Sequence, residues 1–323
     1  MEVIKASNLV KTFGELEAVK GISFSVKEGE VFGFLGPNGA GKTTTINMLC
    51  TLLKPTGGEA QVNGFDIVKE RTKVRESIGL VFQEPTLDSY MTAEQNLRFH
   101  GYAYGIPKET LEPRMKKLLE MVDLWDRRKE KISTYSGGMK RRLEITRGLL
   151  HYPKVLFLDE PTLGLDPQTR RRIWDHILSL RKQEKLAIFM TTHYMDEAEN
   201  CDRIAVIDYG KIIALDTPDK LKDAVGGDVV TLKVEDSEKA MSVLKEQYNM
   251  QPEQENDAIT FAVPRGEEFL PGFVATFPLK LLSIGVRRPT LEDVFIKLTG
   301  HAIREQEASH SEKFKQVMRM RGH

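Results

Sequence analysis

Gly36-Pro37-Asn38-Gly39-Ala40-Gly41-Lys42-Thr43 lies between a short apolar run, Val31-Phe32-Gly33-Phe34-Leu35, and a helical continuation, Thr44-Thr45-Ile46-Asn47-Met48-Leu49. The octapeptide fits the pattern G-x-x-x-x-G-K-[ST], and the run before it, bounded by glycine, reads as a buried strand. Glycines let the backbone curl so that successive N–H groups point inward at a polyanion. The helix N-terminus adds partial positive charge at the same place. In such a loop Lys42 reaches the β- and γ-phosphates of a nucleotide and the Thr43 hydroxyl ligates Mg²⁺. The expected phosphate cradle is therefore Gly36, Pro37, Asn38, Gly39, Ala40, Gly41, Lys42, Thr43 and Thr44. A plain glycine-rich turn before a helix needs neither the lysine nor the threonine.

A second buried-strand pattern, Val155-Leu156-Phe157-Leu158, ends in two carboxylates, Asp159 and Glu160. A parallel strand covered on both faces is apolar throughout, and ligands bind beyond the C-terminal ends of such strands. Asp159 is placed to hold Mg²⁺ through water, and Glu160 to orient and polarise an attacking water as general base.

Tyr135-Ser136-Gly137-Gly138-Met139 follows the loop and precedes the acidic strand. Its spacing resembles the signature of ATP-binding cassette (ABC) ATPases. Phe13 lies where that family stacks an aromatic ring on adenine, and Gln83 ends Ile78-Gly79-Leu80-Val81-Phe82 as the Q-loop glutamine does. Leu163-Gly164-Leu165-Asp166 resembles the D-loop, and His193, after Leu186-Ala187-Ile188-Phe189-Met190, the switch histidine. The match spans roughly residues 3 to 225. The resemblance implies ATP and Mg²⁺ as ligands, with metal contacts from Thr43, Gln83 and Asp159, and catalysis by Glu160, His193, Gln83 and Lys42. It implies that two copies meet head to tail, so that Ser136, Gly137, Gly138 and Asp166 of one close over the nucleotide of the other. Tyr135 and Met139 depart from the family's common Leu-Ser-Gly-Gly-Gln, but the phosphate-facing hydroxyl and N–H groups remain.

Together with Pro161-Thr162 and the late Pro289-Thr290-Leu291-Glu292-Asp293-Val294-Phe295, the signature looks like that of the daunorubicin-resistance type of exporter ATPase. Those serve drug, lipid or polysaccharide exporters whose membrane permease is a separate polypeptide. Copper- and sodium-export ATPases and some gliding or lipid exporters are similar in the same segments. Two other readings stay open: an importer ATPase, and a soluble ABC ATPase acting on ribosomes or DNA. A single cassette without sustained heptads speaks against the second of these.

The chain has 323 residues, 40% of them hydrophobic, enough for one large domain and a small appendage. Lysine plus arginine and aspartate plus glutamate balance at 47 each, which excludes a net basic field for nucleic acid. No apolar run approaches the ~20 residues that span a bilayer, and the N-terminus lacks a signal-peptide pattern. Only Cys50 and Cys201 occur, too few for a disulfide framework. The expected position is cytoplasmic, on the inner face of the cell membrane through the permease.

The expected fold is an α/β P-loop NTPase cassette over residues 1–225, with an antiparallel β layer that presents Phe13 and a helical lobe at about 90–150. Short alternating strands are read over 1–30 and 58–70. Thr92-Ala93-Glu94-Gln95 reads as a capping box, Asp166-Pro167 as an N-cap and first helical residue, and Thr217-Pro218 as the start of the last cassette helix. Residues 228–300 read as a small α+β unit that aids dimerisation or regulation. Residues 301–323 read as a flexible charged tail.

Overall fold

A computed structural model describes residues 1–255 and 258–299. The chain opens with β1 (Glu2–Phe13), β2 (Leu16–Lys27) and β3 (Val31–Leu35), then α1 (Lys42–Leu49), β4 (Gly57–Val62), β5 (Phe65–Asp66), α2 (Arg71–Ser77) and β6 (Ile78–Val81). Three helices follow: α3 (Ala93–Ala103), α4 (Lys108–Met121) and α5 (Gly137–Gly148). The chain returns to sheet at β7 (Val155–Asp159), then α6 (Pro167–Glu184), β8 (Ala187–Thr192), α7 (Met195–Ala198), β9 (Arg203–Asp208) and β10 (Lys211–Asp216). The last stretch holds α8 (Pro218–Asp223), β11 (Asp228–Val234), α9 (Ser237–Glu246), β12 (Glu253–Glu255), β13 (Ala258–Val263), α10 (Gly266–Thr276), β14 (Leu281–Arg287) and α11 (Leu291–Thr299).

Among the described residues, those up to Leu215 form one compact unit and those from Asp216 to Thr299 a second. In the first, a six-stranded sheet of order β10-β9-β3-β8-β7-β6 carries the apolar strands, with β3, β6, β7, β8 and β9 parallel. The crossover order puts β3, β8 and β7 side by side, so Leu35, Thr192 and Asp159 end at one rim. A four-stranded antiparallel sheet, β2-β1-β4-β5, packs onto it. The packing is aromatic: Phe24 of β2 stacks on Phe32 of β3 at 5.6 Å and lies 5.8 Å from Phe189 of β8. Phe157 of β7 closes the cluster at 5.5 Å from Phe189. Each such burial contributes about 2–3 kcal/mol, so Phe189→Ala would loosen both sheets at once.

The strands of the antiparallel layer differ from expectation. β1 and β2 run 12 residues each rather than as short pieces. The turn after Lys27 leads into β3 of the other sheet, and residues 67–70 are turn leading into α2. The capping box at Thr92 forms as read, with Gln95 N–H donating to the Thr92 hydroxyl at 3.2 Å and the Gln95 side chain accepting from Thr92 N–H at 2.8 Å. No helix among the described residues is long and apolar enough to cross a membrane.

The second unit begins earlier than residue 225. Its α8, capped by Thr217 with Pro218 in its first turn, packs on α11, and the Lys297 ammonium donates to the Ala224 and Val225 carbonyls at 3.1 and 2.8 Å. Its sheet runs β12-β13-β11-β14. Sequence reasoning missed the short edge strand β12 and also α10, the latter because Gly266, Pro271 and Gly272 read as breakers. The signal for α10 was the four-residue spacing of Phe269, Phe273 and Phe277, whose rings meet at 5.1 and 4.8 Å. The expected tail at 301–323, and residue 300, lie outside the described residues.

Candidate nucleotide site

The octapeptide curls between β3 and α1. Gly41 has φ 103°, and a methyl there would come within 2.6 Å of the Ala18 carbonyl of β2. Only glycine takes that turn at that approach. The turn throws Lys42 back over its own loop, where its ammonium donates to the Gly36 and Pro37 carbonyls at 2.8 and 3.1 Å and sits 3.2 Å from Glu160 Oε1. Lys42 is only 4% exposed, and burial pushes its pKa below the ordinary lysine value against the pull of Glu160.

Across from it β7 delivers its two carboxylates in different ways. Asp159 Oδ1 accepts from the Thr43 hydroxyl at 3.2 Å and the Thr191 hydroxyl at 2.6 Å. Burial raises its pKa, partly offset by the Thr191 hydroxyl. Glu160 leaves the strand in the left-handed region at φ 45°, a conformation that costs about 1–3 kcal/mol in a residue with a Cβ. It is held there by Thr191, whose hydroxyl accepts from Glu160 N–H at 3.0 Å. The turn aims the carboxylate back at the loop. Besides Lys42, the His193 imidazole donates from Nδ1 to Oε1 at 3.3 Å and the Gln83 amide from Nε2 to Oε2 at 3.1 Å. Burial pushes Glu160 upward, but the His193 hydrogen bond and the Lys42 charge outweigh it and hold the group ionised, below the usual glutamate value. The structure thus brings Lys42, Thr43, Gln83, Asp159, Glu160 and His193 together from four separate segments.

The Thr43 hydroxyl and Asp159 carboxylate are hard oxygen donors set side by side. They suit Mg²⁺, which takes its remaining ligands from phosphate and water. Among the described residues no cluster of three or more acidic, histidine or cysteine side chains offers a self-sufficient metal cage, so the fit is to a cation that arrives with a nucleotide.

Other expected residues stand apart from this cluster. Phe13 closes β1 at the hairpin with β2, half-buried, with the Lys11 ammonium 4.9 Å from its ring centre. Ser136 is exposed and caps α5, accepting from Met139 N–H at 3.3 Å. Gly138 is packed so closely on α6 that a methyl would lie 2.5 Å from Thr169 Cγ2. Asp166 is exposed and caps α6 through Thr169 N–H at 2.9 Å. Among the described residues no hydrogen bond or ion pair joins Ser136 or Asp166 to the phosphate loop.

Two features escaped the sequence reading. Arg141 of α5, 6% exposed, donates to the carbonyls of Phe82 and Gln83 at 2.6 and 2.9 Å, and Glu144 accepts from Thr86 N–H at 2.7 Å. The helix that Ser136 opens therefore grips the backbone that carries Gln83. Charged residues on the inner face of α5 were the only available signal. The second feature is Glu197, buried behind His193. Its signal was a carboxylate four residues beyond that histidine on an otherwise apolar face.

Residues 19–163 match the family model described as ABC transporter. The chain is 40% identical over 312 residues to the linearmycin resistance ATP-binding protein LnrL of Bacillus subtilis (strain 168), covering 94% of this chain and 100% of that one. It is 38% identical to the daunorubicin resistance ATP-binding protein DrrA2 of Streptomyces coeruleorubidus, covering 95% and 98%. Among solved structures, cbiO1 of Clostridium perfringens, part of the ABC transporter complex cbiONQ, superposes with TM-score 0.65 at 29% identity, over 77% of this chain and 96% of that one. The dimeric post-hydrolysis cassette MJ0796 bound to ADP and phosphate superposes with TM-score 0.60 at 29% identity, over 66% and 98%.

Proposed function

The chain belongs to the ABC transporter family as the ATP-binding, ATP-hydrolysing subunit of an exporter, and from that premise we propose how its residues divide the work. The observation that carries the reading is the convergence of Lys42, Gln83 and His193 on the Glu160 carboxylate beside the Thr43–Asp159 pair.

The backbone N–H groups of Gly36 and of residues 38–44 wrap the β- and γ-phosphates. Lys42 exchanges its contacts with the Gly36 and Pro37 carbonyls for phosphate oxygens. Thr43 and Asp159, together with the Gln83 amide, would hold Mg²⁺, which would supply positive charge to offset that of the phosphates. Glu160 accepts a proton from the attacking water, an ionised carboxylate being the form a base requires. Water oxygen bonds to the γ-phosphorus, ADP departs, and His193 donates to a γ-phosphate oxygen while keeping Glu160 in place. Phe13 stacks on the adenine.

Ser136, Gly137, Gly138 and Asp166 take no part in this cluster within one copy, and Ser136 stands exposed at the head of a 12-residue helix. Such a terminus attracts an anion. The reading supported is that a second copy places them on the γ-phosphate from the far side. Closure then moves α5, and Arg141 and Glu144 pass the motion to the Gln83 segment, which faces a separate membrane permease on the cytoplasmic side. Resistance relatives covering nearly the whole chain favour export of a drug-like or lipid-like cargo over import, or over action on ribosomes or DNA. The permease selects the cargo.

The direct test is phosphate release by purified chain with and without Lys42→Ala. Loss of one such preorganised cation costs at least about 10²–10³ in turnover. Release at the unchanged rate from the variant would show that the loop is not where ATP is hydrolysed.

A further inference from the structure

Glu197 is 3% exposed, on the short α7 behind His193. Its Oε2 accepts from the Thr192 hydroxyl at 2.7 Å, and its Oε1 accepts from the Thr162 hydroxyl. Thr192 adjoins His193 and its hydroxyl also accepts from Tyr194 N–H at 2.9 Å, so one oxygen holds both flanks of the histidine. Thr162 belongs to the segment that leaves Glu160: the Leu163 N–H donates to the Glu160 carbonyl at 3.2 Å. One carboxyl thus bridges the two segments that carry the base and the histidine. No cation lies in ion-pair contact with it among the described residues. A buried carboxyl without a paired cation lowers stability. Burial drives its pKa up to about 7, although the Thr192 hydroxyl and the Arg170 charge oppose the rise. From the outer side, the Tyr194 ring packs on the imidazole at 4.1 Å and Arg170 lies over Tyr194 at 4.5 Å. His193 is therefore gripped on both sides, and its hydrogen bond to Glu160, at 3.3 Å, depends on how far apart the two segments stand.

We propose that Glu197 is a positioning residue for ATP hydrolysis: by tying Thr162 to Thr192 it fixes the distance at which His193 meets the Glu160 carboxylate and the γ-phosphate. The proposal rests on the role given to His193 above. A carboxyl kept only for packing would be replaceable by any group that fills its volume, whether or not it reaches the two hydroxyls. A strut would show in turnover rather than in nucleotide affinity.

The test is steady-state ATP hydrolysis by the full chain carrying Glu197→Ala, Glu197→Gln, His193→Ala and the double variant Glu197→Ala/His193→Ala. Supporting residues of this kind are worth about 10–100-fold, so Glu197→Ala is expected to lower kcat by that factor with KM for ATP within about threefold. Glu197→Gln, whose amide still bridges both threonines, is expected to recover most of the loss. In the His193→Ala background the further change should shrink to less than about twofold, because coupled residues are not additive. Thr162→Val and Thr192→Val, which each remove one strut and keep volume, should each lower kcat without raising KM; this pair decides the matter should Glu197→Ala fail to fold. An unchanged kcat in Glu197→Ala, an equal loss with and without His193, or unchanged kcat in both threonine variants overturns the proposal. His193→Ala with wild-type kcat would instead overturn the role of His193 and the proposal with it, whereas an impaired His193→Ala beside a normal Glu197→Ala removes the proposal alone.

Discussion

The first unit buries charge and the second does not. Glu30, Lys42, Arg114, Arg141, Glu144, Asp159, Glu160 and Glu197 are buried, and all but Glu30 and Arg114 lie at the nucleotide cluster or in the segments that support it. From Asp216 on, no described residue that is buried is polar or charged. Its core is Val230, Leu232, Phe261, Phe273 and their neighbours, and ion pairs such as Lys280–Glu235 are exposed. Buried charges oppose folding unless paired and are concentrated where chemistry requires shifted or oriented groups. The contrast therefore sets a unit that buries charge at its nucleotide cluster beside one whose described core is apolar.

Substitutions should fall on opposite sides of that line. The largest effect belongs to the proposed base: Glu160→Gln is expected to lower kcat by about 10²–10⁴ while ATP binding persists, as followed by phosphate release and by a fluorescent ATP analogue. Phe273→Ala, in the second unit, is expected to cost about 3–5 kcal/mol of that unit's stability in urea, with kcat per folded chain within about twofold of wild type. A large fall in kcat would erase the separation of the two units.

Glu197 sharpens the comparison through pH. Its folded pKa of about 7 lies above the ordinary 4.5, so its contribution to stability is whole below about pH 4.5 and is lost as pH rises through about 7. The first unit's stability, read from urea unfolding, should therefore fall over that interval more steeply in wild type than in Glu197→Gln, by an amount on the order of a few kcal/mol. Parallel profiles would mean that the carboxyl titrates as it does in the unfolded chain. The smallest effect is Lys280→Ala, which removes an exposed pair in the second unit and is expected to change stability by less than about 1 kcal/mol.

Much of the site was legible because its chemistry is local in sequence. The loop from Gly36 to Thr43, the carboxylates ending β7 and the histidine after β8 each announce themselves within a few residues, and strand order then brings them to one rim. What stayed hidden depends on pairings between distant segments. Nothing around Arg141 indicates that it will hold the Phe82 and Gln83 carbonyls, and Glu197 gains its meaning only from Thr162. In the second unit alternation revealed β11, β13 and β14. α10 was lost behind Pro271 and Gly272, and β12 behind its charge, as suits an exposed edge strand.

We propose that one copy holds only part of the machinery, Ser136 and Asp166 being exposed and bonded to their own helices rather than to the phosphate loop. Small-angle scattering of Glu160→Gln, recorded with and without Mg·ATP, tests it most directly. A mass that doubles when Mg·ATP is added, and returns when Lys42→Ala is introduced into the same variant, is the predicted result. A chain that binds Mg·ATP and stays monomeric at every protein concentration would contradict the account.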